Sequence, residues 1–213
     1  MTADSFNGIE DKKLRIGVLG GSFDPVHMGH QALGKAAIAE AELDRLIVMP
    51  AGVQPFKQGL NVTEACHREA MAKLAFEDDE RVLVSRYEIE NKENVSYTVK
   101  TLLFLQNQYI DAKIFFICGT DSFLSMETWY RGAEILENFS LIVSARPGYK
   151  EEQFSDTVTY YAEKYRTETI KLTAKMPDIS STNVRKKISQ GQSIEGMVPK
   201  AVERYIKANG LYK

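Results

Sequence analysis

Cysteine is scarce in this chain, with two among 213 residues. Cys118 falls in a strand-like run and Cys66 in a helix-like one, so no disulfide framework is indicated and a reducing compartment fits. No apolar run approaches the ~18 residues that a membrane-spanning helix needs. The first residues, Met1 to Lys13, are polar and lack the apolar core of a signal peptide. They read as a flexible tail, 1–13, on a cytoplasmic protein. Excess charge is missing as well: 27 Lys and Arg against 29 Asp and Glu leave a net charge of −2. This gives no global attraction to nucleic acid or to an anionic membrane, and leaves any phosphate binding to local clusters. Repeats, low-complexity tracts and linkers are also lacking. Residues 14–213 are therefore expected to form a single domain, and self-association is left open.

What is present is ordinary globular material, 44% hydrophobic and 26% charged. Strand-like apolar runs occur at Leu14 to Leu19, Arg45 to Met49, Val82 to Ser85, Lys113 to Cys118, Ser140 to Ser144 and Thr169 to Leu172. Helix-like stretches separate them: Met28 to Glu42, Thr63 to Phe76, Tyr97 to Gln108, Tyr130 to Glu137 and Phe154 to Tyr165. Strands that are apolar on both faces and alternate with helices imply a parallel sheet covered on both sides. The expected fold is α/β, a Rossmann-like three-layer sandwich with a parallel β-sheet. Ligands in such sheets bind at the carboxyl ends of the strands.

The segments that follow the strands are rich in turn residues. After the first comes Gly20-Gly21-Ser22-Phe23-Asp24-Pro25-Val26-His27-Met28-Gly29-His30. It reads as a strand end, a glycine turn and a helix start, which together present free N–H groups and a positive dipole end to a phosphate. His27 and His30, two of three histidines in the chain, share one face of the first helical turn. Gly29 between them leaves room for a ligand at the backbone. A zinc pair is not expected, because no cysteine or third histidine is near in sequence to complete the shell. Gly119-Thr120-Asp121 ends the fourth strand, with Asp121 as a helix cap. Ser180 or Ser181 caps a helix that runs through Val184 and Ile188 to Gly191. Capping accounts for the serines alone. Arg185, Lys186 and Lys187, read as lying in the first turn, would oppose the helix dipole unless an anion sat there.

The first of these stretches resembles the His-x-Gly-His signature of the nucleotidyltransferase superfamily, and Ser181-Thr182-Asn183-Val184-Arg185 with Ser180 is similar to its Ser-Ser-Thr-x-x-Arg element. The resemblance implies transfer of a nucleotidyl group from a nucleoside triphosphate to a phosphorylated acceptor. Gly20, Gly21, Ser22, Phe23 and Gly29, Gly119 and Asp121, and Ser180, Ser181 and Thr182 are the expected ATP contacts. His27, His30 and Arg185 are the expected catalytic residues. Gly119 and Asp121 would meet the adenosine, and the serine element the β- and γ-phosphates.

Ser96-Tyr97-Thr98, Met126 to Arg131 and Arg146-Pro147-Gly148 narrow the resemblance to the bacterial nicotinate-mononucleotide adenylyltransferases, over about Leu14 to Tyr212. This implies AMP transfer from ATP to nicotinate mononucleotide in NAD biosynthesis, with Lys57, Thr98, Trp129, Tyr130 and Arg146 at the acceptor. A cationic pyridinium suits the single tryptophan, and backbone N–H groups around Thr98 and Trp129-Tyr130 suit its carboxylate. Many relatives have His where this chain has Phe56, which removes one hydrogen-bonding side chain from that loop. Mg²⁺ is expected to arrive on the phosphates of ATP, with no metal site in the protein. Alternatives are transfer to nicotinamide mononucleotide or phosphopantetheine, or a silent nucleotide sensor. No Ser-His-Asp or Cys-His arrangement is evident, so no protein-nucleotidyl intermediate is expected.

Overall fold

The β-branched and aromatic runs become strands, and helices cover the two apolar faces that those strands present. A computed structural model describes residues 13–52, 62–91, 96–145 and 149–213. Its strands are β1 Arg15–Gly21, β2 Arg45–Pro50, β3 Val82–Val84, β4 Lys113–Gly119, β5 Ser140–Ser144 and β6 Thr169–Leu172. They form one parallel sheet in the order β3-β2-β1-β4-β5-β6. The six strand-like runs are thus all strands, displaced by at most two residues.

The helices are α1 Met28–Glu40, α2 Ala65–Ala75, α3 Tyr87–Glu90, α4 Thr98–Gln108, α5 Thr120–Ser125, α6 Gly132–Asn138, α7 Glu151–Tyr165, α8 Ser181–Ser189 and α9 Lys200–Ala208. Two buried clusters lie on opposite faces of the sheet. Leu19, Leu46 and Val48 join residues of α1, α2, α8 and α9 in one. Ile16, Val18, Ile47 and Met49 join α4, α6 and α7 in the other. Alternate residues of β1 and β2 point into different clusters, as the period of two requires. The result is the expected Rossmann-like three-layer sandwich.

Helix α9 has no counterpart among the helix-like stretches of the sequence analysis. It buries Val202 and Ile206, one turn apart, in the first cluster. Helix α8 ends as the sequence suggests. Gly191 has φ 68°, and Gln192 N–H returns to the carbonyl of Lys187 at 2.8 Å, a left-handed stop that favours glycine. Among the described residues no helix is long and apolar enough to cross a membrane.

Candidate active site

Strand order reverses between β1 and β4, where an open α/β sheet leaves a crevice at its carboxyl edge. Gly20 and Gly21 end β1, and Gly119 ends β4. Gly20 is open: a Cβ there would meet nothing within 4 Å. Phe23 follows in the left-handed region at φ 50°, with its side chain fully buried. A bulky residue in that region costs about 1–3 kcal/mol and persists only where its surroundings hold it.

Those surroundings come from distant parts of the chain. Arg185 Nη1 donates to the Asp24 carbonyl at 2.6 Å, and Ser181 Oγ to the Pro25 carbonyl at 2.9 Å. Arg68 of α2 is buried and donates to the carbonyls of Ser22 (2.9 Å) and Ala51 (2.8 Å). Burial pulls its pKa down, and the Asp24 charge opposes that fall. The buried Asp24 carboxylate accepts the Tyr212 hydroxyl at 2.7 Å and Thr63 N–H at 3.4 Å. Burial pushes the Tyr212 pKa well up, so the phenol stays a donor. Arg68, Asp24 and Tyr212 escaped the sequence reading; an arginine on the core-facing side of α2 was the available signal.

The two histidines cap α1. His27 is the N-cap, and its Nδ1 accepts from His30 N–H at 3.4 Å while His30 Nδ1 accepts from His27 N–H at 3.2 Å. This is a capping box built from imidazoles. An accepting nitrogen bears no proton, so these bonds assign the proton of each neutral ring to Nε2. The rings stack with centroids 3.7 Å apart, and the edge of Phe23 meets His30 at 5.0 Å. Burial, then repulsion from His27, lowers the His30 pKa to about 3. His30 is therefore a neutral hydrogen-bond donor at physiological pH. At Gly29 a Cβ would lie 3.0 Å from His27 Nδ1. The glycine makes room for the catalytic candidate's own ring.

Two other expectations change. Ser180 is the N-cap of α8, accepting from Asn183 N–H at 3.2 Å, but Arg185 lies beyond the first turn and Lys186 and Lys187 lie in the last. There the lysines complement the helix dipole and need no anion to explain them. Arg185 reaches back along the helix, where Nη2 also meets Thr182 Oγ1 at 3.4 Å. Gly119, not Asp121, is the N-cap of α5; Asp121 is exposed in its first turn. Thr120 between them is buried and donates to the Ser144 carbonyl at 3.2 Å, tying β4 to β5.

On the acceptor side, Trp129 is half-buried, edge-on to Phe116 at 6.1 Å, and packs partly on the second core cluster. Tyr130 is exposed and its ring lies 4.3 Å from that of Tyr97, the N-cap of α4. Trp129 N–H is already donated to Met126 at 3.0 Å, so it is not a donor for a substrate carboxylate. Thr98 N–H lies in the first turn of α4, where no intrahelical acceptor exists. Lys57, Phe56 and Arg146 lie outside the described residues.

Among the described residues one group of His, Cys, Asp and Glu side chains is close enough to share a cation: Glu64, Cys66 and His67, with ligand atoms all within 4.8 Å. A thiol and an imidazole are poor partners for Mg²⁺, which prefers oxygen.

The chain that carries this crevice and its paired histidines is a nucleotidyltransferase, as its similarity to known proteins shows. The cytidylyltransferase-like family model matches residues 18–187. Across 93% of its length the chain is 38% identical to a "Probable nicotinate-nucleotide adenylyltransferase" of Clostridium botulinum (strain Eklund 17B / Type B), 98% of which is covered. It is 37% identical to the similarly named protein of Roseiflexus castenholzii, over 93% of this chain and 98% of that one. The Plasmodium falciparum nicotinic acid mononucleotide adenylyltransferase complexed with NaAD shares the fold, with TM-score 0.76 and 18% identity over 93% of this chain and 97% of that one. The chain belongs to the cytidylyltransferase-like family and, within it, to the nicotinate-nucleotide adenylyltransferases.

Proposed function

We propose that the chain joins ATP and nicotinate mononucleotide to give nicotinate adenine dinucleotide and pyrophosphate, a step of NAD biosynthesis. The observation that carries the reading is the meeting of two elements far apart in sequence: Arg185 and Ser181 of α8 hold the Asp24-Pro25 carbonyls directly before the histidine cap. A triphosphate lying across that junction would touch both.

The 5′-phosphate oxygen of the acceptor attacks the α-phosphorus of ATP in line. One P–O bond forms, and the bond to the bridging oxygen breaks with its electron pair leaving on pyrophosphate. Such transfer needs positioning and charge neutralisation more than covalent chemistry. His27 and His30 hold the α-phosphate, and His30 gives its Nε2–H to the developing negative oxygen. A neutral donor suits this task, since it needs no proton from solvent and loses none as charge builds. Arg185, Thr182 and the N–H groups that open α8 hold the leaving pyrophosphate, whose charge they partly balance. Gly20, Gly21, Ser22, Phe23 and Gly29 shape the phosphate turn. Gly119 and Asp121 take the adenosine, the carboxylate accepting from ribose hydroxyls. Trp129, Tyr130 and Thr98, with Lys57 and Arg146, take nicotinate mononucleotide.

Mg²⁺ enters with ATP as part of the substrate, held by phosphate oxygens and water; the ion dehydrates reluctantly and needs few protein ligands. Residues 14–213 act as one catalytic unit in the cytoplasm. The test is pyrophosphate release from MgATP with nicotinate mononucleotide, nicotinamide mononucleotide or phosphopantetheine as sole acceptor. Fastest release with the first is expected. Faster release with another reassigns the acceptor, and release with none leaves the sensor reading.

A further inference from the structure

Glu64, Cys66 and His67 fall outside the machinery above, yet they bring one oxygen, one sulfur and one ring nitrogen within 4.8 Å of one another at the start of α2. We propose that they form a binding site for a thiophilic divalent cation of the Zn²⁺ class.

The donor set decides the class. Thiolate, imidazole and carboxylate together match Zn²⁺, which takes four ligands, and a water completes the shell. Calcium and magnesium would be offered one oxygen and two unsuitable atoms. The sequence spacing explains the convergence. Glu64 is the N-cap of α2, with Cys66 and His67 in its first turn, so residues 64 and 67 lie on one helical face.

The supports are built. His67 Nδ1 lies 2.9 Å from the Tyr205 hydroxyl of α9, which fixes the ring, and the rings meet at 5.8 Å. A hydrogen-bonded partner of this kind orients a metal-binding imidazole. Cys66 and Glu64 are already together, the thiol donating to Glu64 Oε2 at 3.6 Å, and both are exposed. On binding, the thiol proton leaves to the buffer as the sulfur–metal bond forms. With one thiolate and one carboxylate the bound cation is electrically neutralised, so the positive end of the helix dipole does not oppose it.

The cation would staple the first turn of α2. Arg68, whose N–H donates to Glu64 O at 3.2 Å, begins the next turn and holds the Ser22 and Ala51 carbonyls. Thr63, beside Glu64, holds Asp24. Metal binding therefore stiffens the base on which the strained loop at Phe23 rests.

The experiment uses the full chain, stripped of metal and without ATP. Zn²⁺ affinity is measured against a chromophoric chelator with excess Mg²⁺ present, and Co²⁺ is added separately as a spectroscopic probe. One Zn²⁺ per chain, a thiolate-to-cobalt charge-transfer band and a raised melting temperature are expected. Cys66→Ser, an exposed position with little bearing on folding, should abolish the band and the thermal shift. Tyr205→Phe should weaken Zn²⁺ by roughly 10–100-fold, the scale of a lost orienting partner, while keeping the band. Cys118→Ala should retain both. Failure of the wild-type chain to bind one Zn²⁺, or wild-type affinity in Cys66→Ser and His67→Ala, overturns the proposal. Adenylyl transfer plays no part in these readouts, so they stand or fall apart from it.

Discussion

Arg185 donates to the backbone carbonyl of Asp24 across 161 residues of sequence, at 2.6 Å. One guanidinium thus braces the loop before the histidine cap and remains able to give further N–H groups to a phosphate. In Arg185→Ala, affinity for ATP and pyrophosphate should fall roughly ten- to a hundredfold, the scale of lost charge-assisted hydrogen bonds. Binding of nicotinate mononucleotide should be retained. Calorimetric titration with each ligand checks this, and unchanged ATP affinity would remove Arg185 from the phosphate site.

His30→Ala should lower turnover by roughly 10²–10³, as expected for one transition-state donor. It also removes half of the imidazole cap, at about 1 kcal/mol. A circular dichroism spectrum like the wild type's, with slow turnover, is the expected pair of results. Near-normal turnover in the folded variant would exclude the role.

The low His30 pKa makes a stability prediction. The unfolded ring takes up a proton below its ordinary value of 6.5, while the folded ring waits until about 3. The unfolded state therefore binds more protons in that window, and stability from this group, fully present above pH 6.5, is lost as pH falls toward 3. Its share of the slope is at most about 1.4 kcal/mol per pH unit. The stability of wild type relative to His30→Ala, taken from denaturant midpoints between pH 7 and pH 4, should therefore fall steadily as the pH is lowered.

Tyr212→Phe leaves the buried Asp24 carboxylate without its hydroxyl donor. Loss of a partner by a buried polar group costs about 1–3 kcal/mol, which corresponds to a melting temperature about 2–12 °C lower in a chain of this size. A scanning calorimetry trace that matches the wild type would show that Thr63 and Arg68 suffice.

Trp129→Ala should raise the KM for nicotinate mononucleotide about 2–30-fold, the range of a cation–π contact worth about 0.5–2 kcal/mol, and leave that for ATP nearly unchanged. Trp129→Phe should fall between the two. Equal changes for both substrates would mean that the half-buried ring serves packing alone.

The strands were legible because their signal is local: runs such as Lys113–Gly119 are apolar at nearly every position. The end of α8 was legible for the same reason, through Gly191. The inner structure of the site was not. A capping box is read from serine or threonine with glutamate, and imidazoles at His27 and His30 perform the same exchange without that spelling. The lysines at 186 and 187 were misplaced by one turn, which reversed their relation to the helix dipole. Arg68, Asp24 and Tyr212 act through pairs up to 188 residues apart, and no local pattern records such pairs.

The loop from Ser22 to Pro25 is held by Ser181, Arg185 and Tyr212, and the first amide of α1, Met28 N–H, by the carbonyl of Met197 at 2.9 Å. During synthesis the ribosome makes the histidine segment first and its braces much later. At 5–20 residues per second those braces, 156 to 188 residues further on, follow by about eight to forty seconds. A nascent chain therefore carries its most distinctive motif for that interval without the contacts that brace it.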